Sequence, residues 1–255
     1  MIKIKEKLFK IVPVITLMIC AAAVYLIQIL IFRSPGDTFF YFFQDLAFLP
    51  VEILIVTLIV NRIISSRQRK ERLKKMNMVI STFFGEAGTH LITLLSQFQE
   101  NFHTLRDTLE ISSQWDEAKF ANAAERIRSY NFLIQSTAGN LDTLKTFLLE
   151  KRMFLLSLLE NPNLLEHESF TDMLWAVFHL TDELASRNSV VSLPQNDYEH
   201  LSTDIKRAYG HLIYEWLHYM KHLKTDYPYL FSLAVRKNPF DPEASVIIND
   251  VKPIK

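Results

Sequence analysis

Between Asp45 and Lys75 the chain passes from a run apolar enough for lipid into a dense block of positive charge. A membrane-spanning helix that leaves the bilayer on its cytoplasmic side has this character, because lysine and arginine accumulate there. Apolar residues crowd residues 8–64, and ordinary amphipathic spacing follows. The part before this stretch reads as the other arm of a membrane hairpin. The part after it reads as a helical domain on the cytoplasmic side.

The first arm, Ile11–Phe32, holds 22 consecutive residues without a charge. As a helix it spans roughly 33 Å, enough for a hydrocarbon core of about 30 Å. The opening lysines and Ala21-Ala22-Ala23 have the pattern of a cleavable signal peptide, yet the apolar run continues to Phe32, which favours an uncleaved anchor. Arg33 to Asp37 forms the turn, with Pro35 and Gly36 inside it and Asp37 as cap of the next helix. The second span then covers about 39–64. So short a connection leaves no room for an extracytoplasmic sensor domain. Lys3, Lys5, Lys7 and Lys10 precede the first span, and Arg62, Arg67, Arg69, Lys70, Arg72, Lys74 and Lys75 follow the second. The loop between carries only Arg33, so both termini are expected in the cytoplasm, at a prokaryotic inner membrane.

Asp45 and Glu52 lie two helical turns apart and share a face of the second span. An acid in hydrocarbon costs several kcal/mol and normally faces a partner or water. Gln28 on the first span is a candidate partner, and Pro50 is expected to kink the helix between the acids. Two roles stand open: an ion or proton path through an oligomer, or a structural pair at the outer interface and between helices. Arg67, Arg69, Lys70, Arg72, Lys74 and Lys75 are placed to meet anionic lipid headgroups, each worth about 1 kcal/mol near the surface.

Beyond the basic block, apolar residues recur in steps of three and four from Leu73 through Met76, Ile80, Phe83, Ala87, Leu91, Leu94, Phe98, Phe102 and Leu105 to Leu109. No proline interrupts from Val51 to Asn161, so the second span is expected to continue as one helix to about Glu110. A stripe of this length suggests a coiled coil, with a second copy, another protein, or later helices of the same chain. Gly85 and Gly88 inside it suggest a close helix approach or a bend. Further helices are expected from Asp116 to about Thr137, over 141–160, over 169–187, over 198–224 with Asp197 as cap, and over 229–236. The three-proline tail from about 237 is expected to dock on the bundle, with an extended piece at Ser245–Ile248. The expected fold is therefore all-α: a transmembrane hairpin over 1–64 and a cytoplasmic antiparallel helical bundle over 65–255.

Candidate chemistry is sparse. Five glycines in 255 residues argue against phosphate-binding loops, and the single Cys20 precludes an intrachain disulfide or a cysteine-based zinc site. Neutral net charge offers no electrostatic case for nucleic acid. His211, Glu215, His218 and His222 line one face of the last long helix, and Glu215-x-x-His218 is half of a carboxylate-bridged di-metal pattern. The missing ligands would have to come from Glu86, Glu110, Glu150, Glu166 or Glu183, and no second Glu-x-x-His is present. The plainer alternative is that these histidines flank the core stripe Leu201, Ile205, Leu212, Trp216 and Leu223. Glu86 and His90 form a lesser same-face pair. No cofactor or small-molecule substrate is indicated, and an enzyme is not expected.

Two segments also carry a resemblance. YFFQDLAFLPVEILIVTLIVNRIISSR with LKKMNMVISTFFGEAG, and AYGHLIYEWLHYMKHLKTDYPYLFSLAVRKNPFDP, resemble an uncharacterised family of prokaryotic membrane proteins with two spans and a helical cytoplasmic domain. The resemblance covers most of the chain and implies this architecture, but supplies no activity or site. The expected function is a membrane-anchored interaction or regulatory protein. An ion pathway through Asp45 and Glu52 and a metal-binding enzyme on the His211–His222 face are the alternatives.

Overall fold

A computed structural model describes residues 2–33, 35–100, 102–162, 164 and 167–247. Among them the regular structure is helical, and the chain divides into two compact units, Met1–Arg69 and Lys70–Lys255. Glu166 and Ile248, both named above, lie outside the described residues.

The first unit is a helical hairpin. Helix α1 runs Ile2–Phe32, and α2 begins at Pro35 and runs to Phe83, so its last turns belong to the second unit. The turn is tighter than expected. Arg33 adopts a left-handed conformation (φ 50°) and its N–H donates to the Ile29 carbonyl at 3.0 Å, which closes α1. Asp37 accordingly sits inside the first turn of α2 rather than capping it. Pro50 lies within α2 without ending it.

In the second unit the stripe from Met76 to Leu109 is consumed by the chain's own helices: Met76, Ile80, Phe83, Leu91, Phe98, Leu105 and Leu109 are all buried. The single long helix to Glu110 is not formed. It widens into a π turn over Phe84–Gly88, resumes as α3 (Thr89–Ser96), stops, and restarts as α4 (Phe102–Leu109). The stop has a tertiary cause. Glu100 N–H donates to the Leu133 carbonyl at 2.8 Å and Gln135 N–H to the Phe98 carbonyl at 2.9 Å, so residues 98–100 pair with an extended segment, while the Phe98 and Gln99 N–H groups keep only tight turn bonds to the Leu95 and Ser96 carbonyls. The same pairing ends α5 at Arg128, short of the expected Thr137. Residues 131–136 are then tied to the last long helix by Ser136, whose Oγ donates to the Tyr198 carbonyl at 2.7 Å, and by Lys206, which donates to Asn131 Oδ1 at 2.8 Å.

Local capping sets the other boundaries. Asp116 Oδ1 accepts from Lys119 N–H and opens α5 (Glu117–Arg128), and Asn140 Oδ1 accepts from Thr143 N–H and opens α6 (Leu141–Leu159). Helix α7 (Glu168–Ala185) starts on His167, α8 (Gln195–Asp226) after Pro194, and α9 is Pro228–Arg236. Helix α8 is the hub: α5, α7, α9, α3 and the π turn all pack on it. The pairings are antiparallel, with Glu117 on Lys221 for α5, Arg152 on Asp182 between α6 and α7, and Asp204 on His179 between α7 and α8. Leu201, Ile205, Leu212, Trp216 and Leu223 of α8 are at most 1% exposed, so the core stripe lies where the apolar period puts it. The tail docks through Phe240, which is fully buried against Trp216 and Phe102, while Asn238 Nδ2 donates to the Leu109 carbonyl at 3.0 Å.

Candidate functional site

The four residues of the His211–His222 face do not converge. Among the described residues the only group of three or more ligand-bearing side chains that meets within 4.8 Å is elsewhere. Glu215 turns into the core, 1% exposed, with neither carboxylate oxygen hydrogen-bonded. Burial pushes its carboxyl up to about 7, offset only in part by the nearby Ser169 hydroxyl. His222 is engaged structurally, with Nδ1 2.7 Å from Asp226 Oδ2 and 3.2 Å from Asn77 Nδ2. His218 rests on the Tyr214 ring at 4.6 Å, and partial desolvation, then the charges of His167 and Lys221, hold its imidazole below the usual value. No hydrogen bond reaches His211 among the described residues. The side chains diverge because Glu215 lies toward the apolar stripe of α8, whereas the histidines flank it.

The group that does meet, His179, Glu183 and Asp204, sits at the other end of α8, with His200 beside its two carboxylates. On α7, burial of Phe170, Met173, Leu174, Val177, Leu180 and Leu184 leaves His179 and Glu183 along one flank, one turn apart. On α8, burial of Leu201 and Ile205 leaves His200 and Asp204 in the same relation. Because the helices are antiparallel, the two pairs face each other. His179 Nε2 lies 3.5 Å from Asp204 Oδ1 and 3.9 Å from Glu183 Oε1. His200 Nε2 lies 3.3 Å from Asp204 Oδ2 and 3.4 Å from Glu183 Oε2. Asp204 forms the floor at 2% exposure, whereas His179 and His200 are about half exposed at the rim.

Two arginines brace the carboxylates. Arg187 Nη1 donates to Glu183 Oε2 at 2.8 Å and Arg207 Nη1 to Asp204 Oδ1 at 3.1 Å. Arg187 also makes a two-bond pair with Asp197, through Nε at 2.9 Å and Nη2 at 2.6 Å. Its hydrogen bonds hold both Asp197 and Glu183 below the usual carboxylate range and raise the guanidinium. This pair explains why Asp197 is not the cap of α8: its carboxylate is spent across the loop on Arg187. Lys145 of α6 donates to the Arg187 carbonyl and fixes the loop from a third helix.

Sequence reasoning considered Glu183 only as a donor to the other face and passed over His179, His200 and Asp204. The available signal was the repeated His-x3-acid spacing on helices joined by a short loop. It was missed because each pair alone is an ordinary helix-surface pair.

In the hairpin, the Tyr25 hydroxyl donates to Asp45 Oδ2 at 3.4 Å, so Asp45 finds its partner in Tyr25 and not in Gln28. Glu52 has no partner among the described residues. Arg67, Arg69, Lys70, Arg72, Lys74 and Lys75 are all exposed on α2. Glu86 is exposed, and His90 packs on the Phe147 ring at 4.8 Å, so the two do not act as a pair.

A family model for the C-terminal helical domain of the uncharacterized protein MJ1433 matches residues 72–236, and one for its N-terminal helical domain matches residues 4–64. The uncharacterized protein MJ1433 of Methanocaldococcus jannaschii is 40% identical over 247 residues, which cover 97% of this chain and 99% of that relative. No solved structure matches the chain. The chain belongs to the MJ1433 family and carries that family's two helical domains in order.

Proposed function

We propose that the chain is a membrane-anchored, non-enzymatic interaction or regulatory protein. In this reading α1 and the first part of α2 cross a prokaryotic cytoplasmic membrane as a hairpin, both termini face the cytoplasm, and residues 65–255 form the cytoplasmic domain. One observation carries it. The helical run Pro35–Ser96 contains an 18-residue window of mean hydropathy 2.1 with none of it buried. Phe39, Phe40, Leu54, Val56 and Leu58 are each more than half exposed there, and the shorter apolar helix Ile15–Ile31 exposes Leu17, Met18 and Leu30 as well. Leaving such side chains in water forfeits about 1.5–3 kcal/mol apiece, and contiguous apolar surface of this size marks a lipid or protein contact.

The exposed cations from Arg67 to Lys75 fit an anionic headgroup layer at the end of the apolar run. The hydrogen bond from Tyr25 gives Asp45 a task inside the hairpin, which favours an anchor over an ion path. A protein partner or a second copy that uses residues 73–109 would meet the side opposite the buried stripe, where Leu73 and Met78 are exposed.

Alkaline carbonate extraction of membranes from cells expressing the full chain tests the reading. The chain is expected to stay in the membrane pellet and to enter solution only with detergent. Release by carbonate alone would overturn the anchor.

A further inference from the structure

The geometry points to a divalent transition-metal site between α7 and α8, with His179 Nε2, His200 Nε2, Glu183 and Asp204 as its ligands. This inference stands independently of the membrane reading, because all four residues belong to the helical domain.

Four features of the cluster support it. The first is spacing. A tetrahedral ion with metal–ligand distances of about 2.0–2.2 Å sets its donor atoms roughly 3.3–3.6 Å apart. For the two oxygens the arginines leave open, His200 Nε2 lies 3.3 Å from Asp204 Oδ2 and His179 Nε2 lies 3.9 Å from Glu183 Oε1, close to that edge, and one donor atom each from His179, Glu183 and Asp204 falls within 4.8 Å of the others. The second is the orphaned oxygen. Asp204 Oδ2 is buried in the floor of the cluster, has no hydrogen-bond partner, and lies beside His200 Nε2. A buried carboxylate oxygen without a donor is costly, and a cation satisfies it.

The third is the division of labour among the carboxylate oxygens. Arg187 occupies Glu183 Oε2 and Arg207 occupies Asp204 Oδ1, so Glu183 Oε1 and Asp204 Oδ2 stay available. The arginines then act as outer partners that orient the ligating carboxylates. Arg187 is itself matched by Asp197, which moderates its opposition to a cation. The fourth is donor chemistry. Two imidazoles with two carboxylates suit zinc and neighbouring first-row divalent ions better than calcium or magnesium, which prefer all-oxygen shells. The half-exposed histidines leave one side open to solvent, which gives the ion an entry path.

The test uses the full chain purified in detergent, stripped with a chelator and titrated with Zn2+ by calorimetry, then with Co2+ by visible absorption. One Zn2+ per chain is expected, together with Co2+ bands of tetrahedral character and a Zn2+-dependent rise in melting temperature. The variant His179→Ala/His200→Ala changes only rim residues. Its affinity is expected to fall further than the roughly 10–100-fold typical of outer-shell changes, and the melting shift is expected to vanish. The variant His211→Ala/His218→Ala/His222→Ala is expected to keep one Zn2+ per chain. No stoichiometric uptake by the unmodified chain at micromolar Zn2+ would overturn the site and leave an ion-pair cluster. Unchanged binding in the double variant, or loss of binding in a triple variant that keeps its helical circular dichroism, would overturn it equally. If the double variant loses its helical circular dichroism, His200→Gln replaces it. A weakening of about tenfold or more supports the site, and unchanged affinity sinks it.

Discussion

Glu215 is the side chain whose burial most conflicts with its chemistry. Its carboxyl sits in the core of the domain with neither oxygen in a well-formed hydrogen bond, and the nearby Ser169 hydroxyl offsets only part of the cost of burial. Below pH 4.5 the group is neutral in folded and unfolded chains alike, so it adds no pH dependence there. Between its ordinary 4.5 and about 7 the unfolded chain ionises first, so stability falls across that window by about 3 kcal/mol in total. Above pH 7 both states are ionised and the loss is constant. Glu215→Gln removes the ionisation while keeping the shape. The variant is expected to match the parent near pH 4 and to exceed it by about 2–3 kcal/mol near pH 8, in thermal melts followed by circular dichroism. Equal stability of the two proteins at pH 8 would show that Glu215 finds a partner or water in solution. Sequence alone placed Glu215 on the same helix as the core stripe but did not reveal its depth, since one residue's rotation toward the core depends on what α7 and α3 pack against it.

At the scale of elements, the π turn at Phe84–Gly88 breaks the regular α-helix where Phe84, Ala87 and Gly88 are buried. The Phe84 carbonyl accepts from both the Thr89 N–H and the Thr89 hydroxyl, which stabilises the wide turn. Phe84 stacks on Tyr219 of α8 at 4.8 Å, and Phe83 meets Phe170 of α7 edge-on at 5.5 Å. The two glycines of this segment have different jobs. A Cβ on Gly88 would stand 2.6 Å from the Phe84 ring and 2.7 Å from the Phe83 ring, whereas one on Gly85 would meet nothing within 4 Å. Gly88→Ala is therefore expected to destabilise the domain by about 1–3 kcal/mol through overpacking. Gly85→Ala is expected to be neutral or to stabilise by up to about 1 kcal/mol through helix propensity. Denaturant melts of the two variants check the contrast, and equal effects would contradict it.

The element scale also shows where legibility ended. Asp116 and Asn140 cap their helices with the side chains that the sequence offers, because a cap is settled by residues within one turn. The stop at residues 97–100 was invisible, because no glycine or proline marks it and the competing hydrogen bonds come from residues 133–135. The His179–Asp204 cluster shares that origin. Its two halves are each local, but their meeting depends on the register of α7 against α8, which Arg187 and Asp197 help to fix across the loop.

For the whole molecule, the all-α class and the succession of helices were legible because both follow from apolar periodicity and turn residues. The proposed division of labour rests on where apolar surface is left uncovered. In the second unit the buried apolar side chains from Met76 to Phe240 build one core, while the large apolar side chains of residues 39–64 are exposed. A hairpin in the membrane with both termini inside makes a sharp prediction about access. In a Cys20→Ala background, Gly36→Cys tests the turn, where an added side chain meets nothing within 4 Å. Met153→Cys tests the domain at a residue that is 70% exposed. Labelling of intact cells with a membrane-impermeant maleimide should modify Gly36→Cys and spare Met153→Cys until the membrane is permeabilised. Modification of Met153→Cys in intact cells, or identical behaviour of the two positions, would contradict the membrane-anchored account.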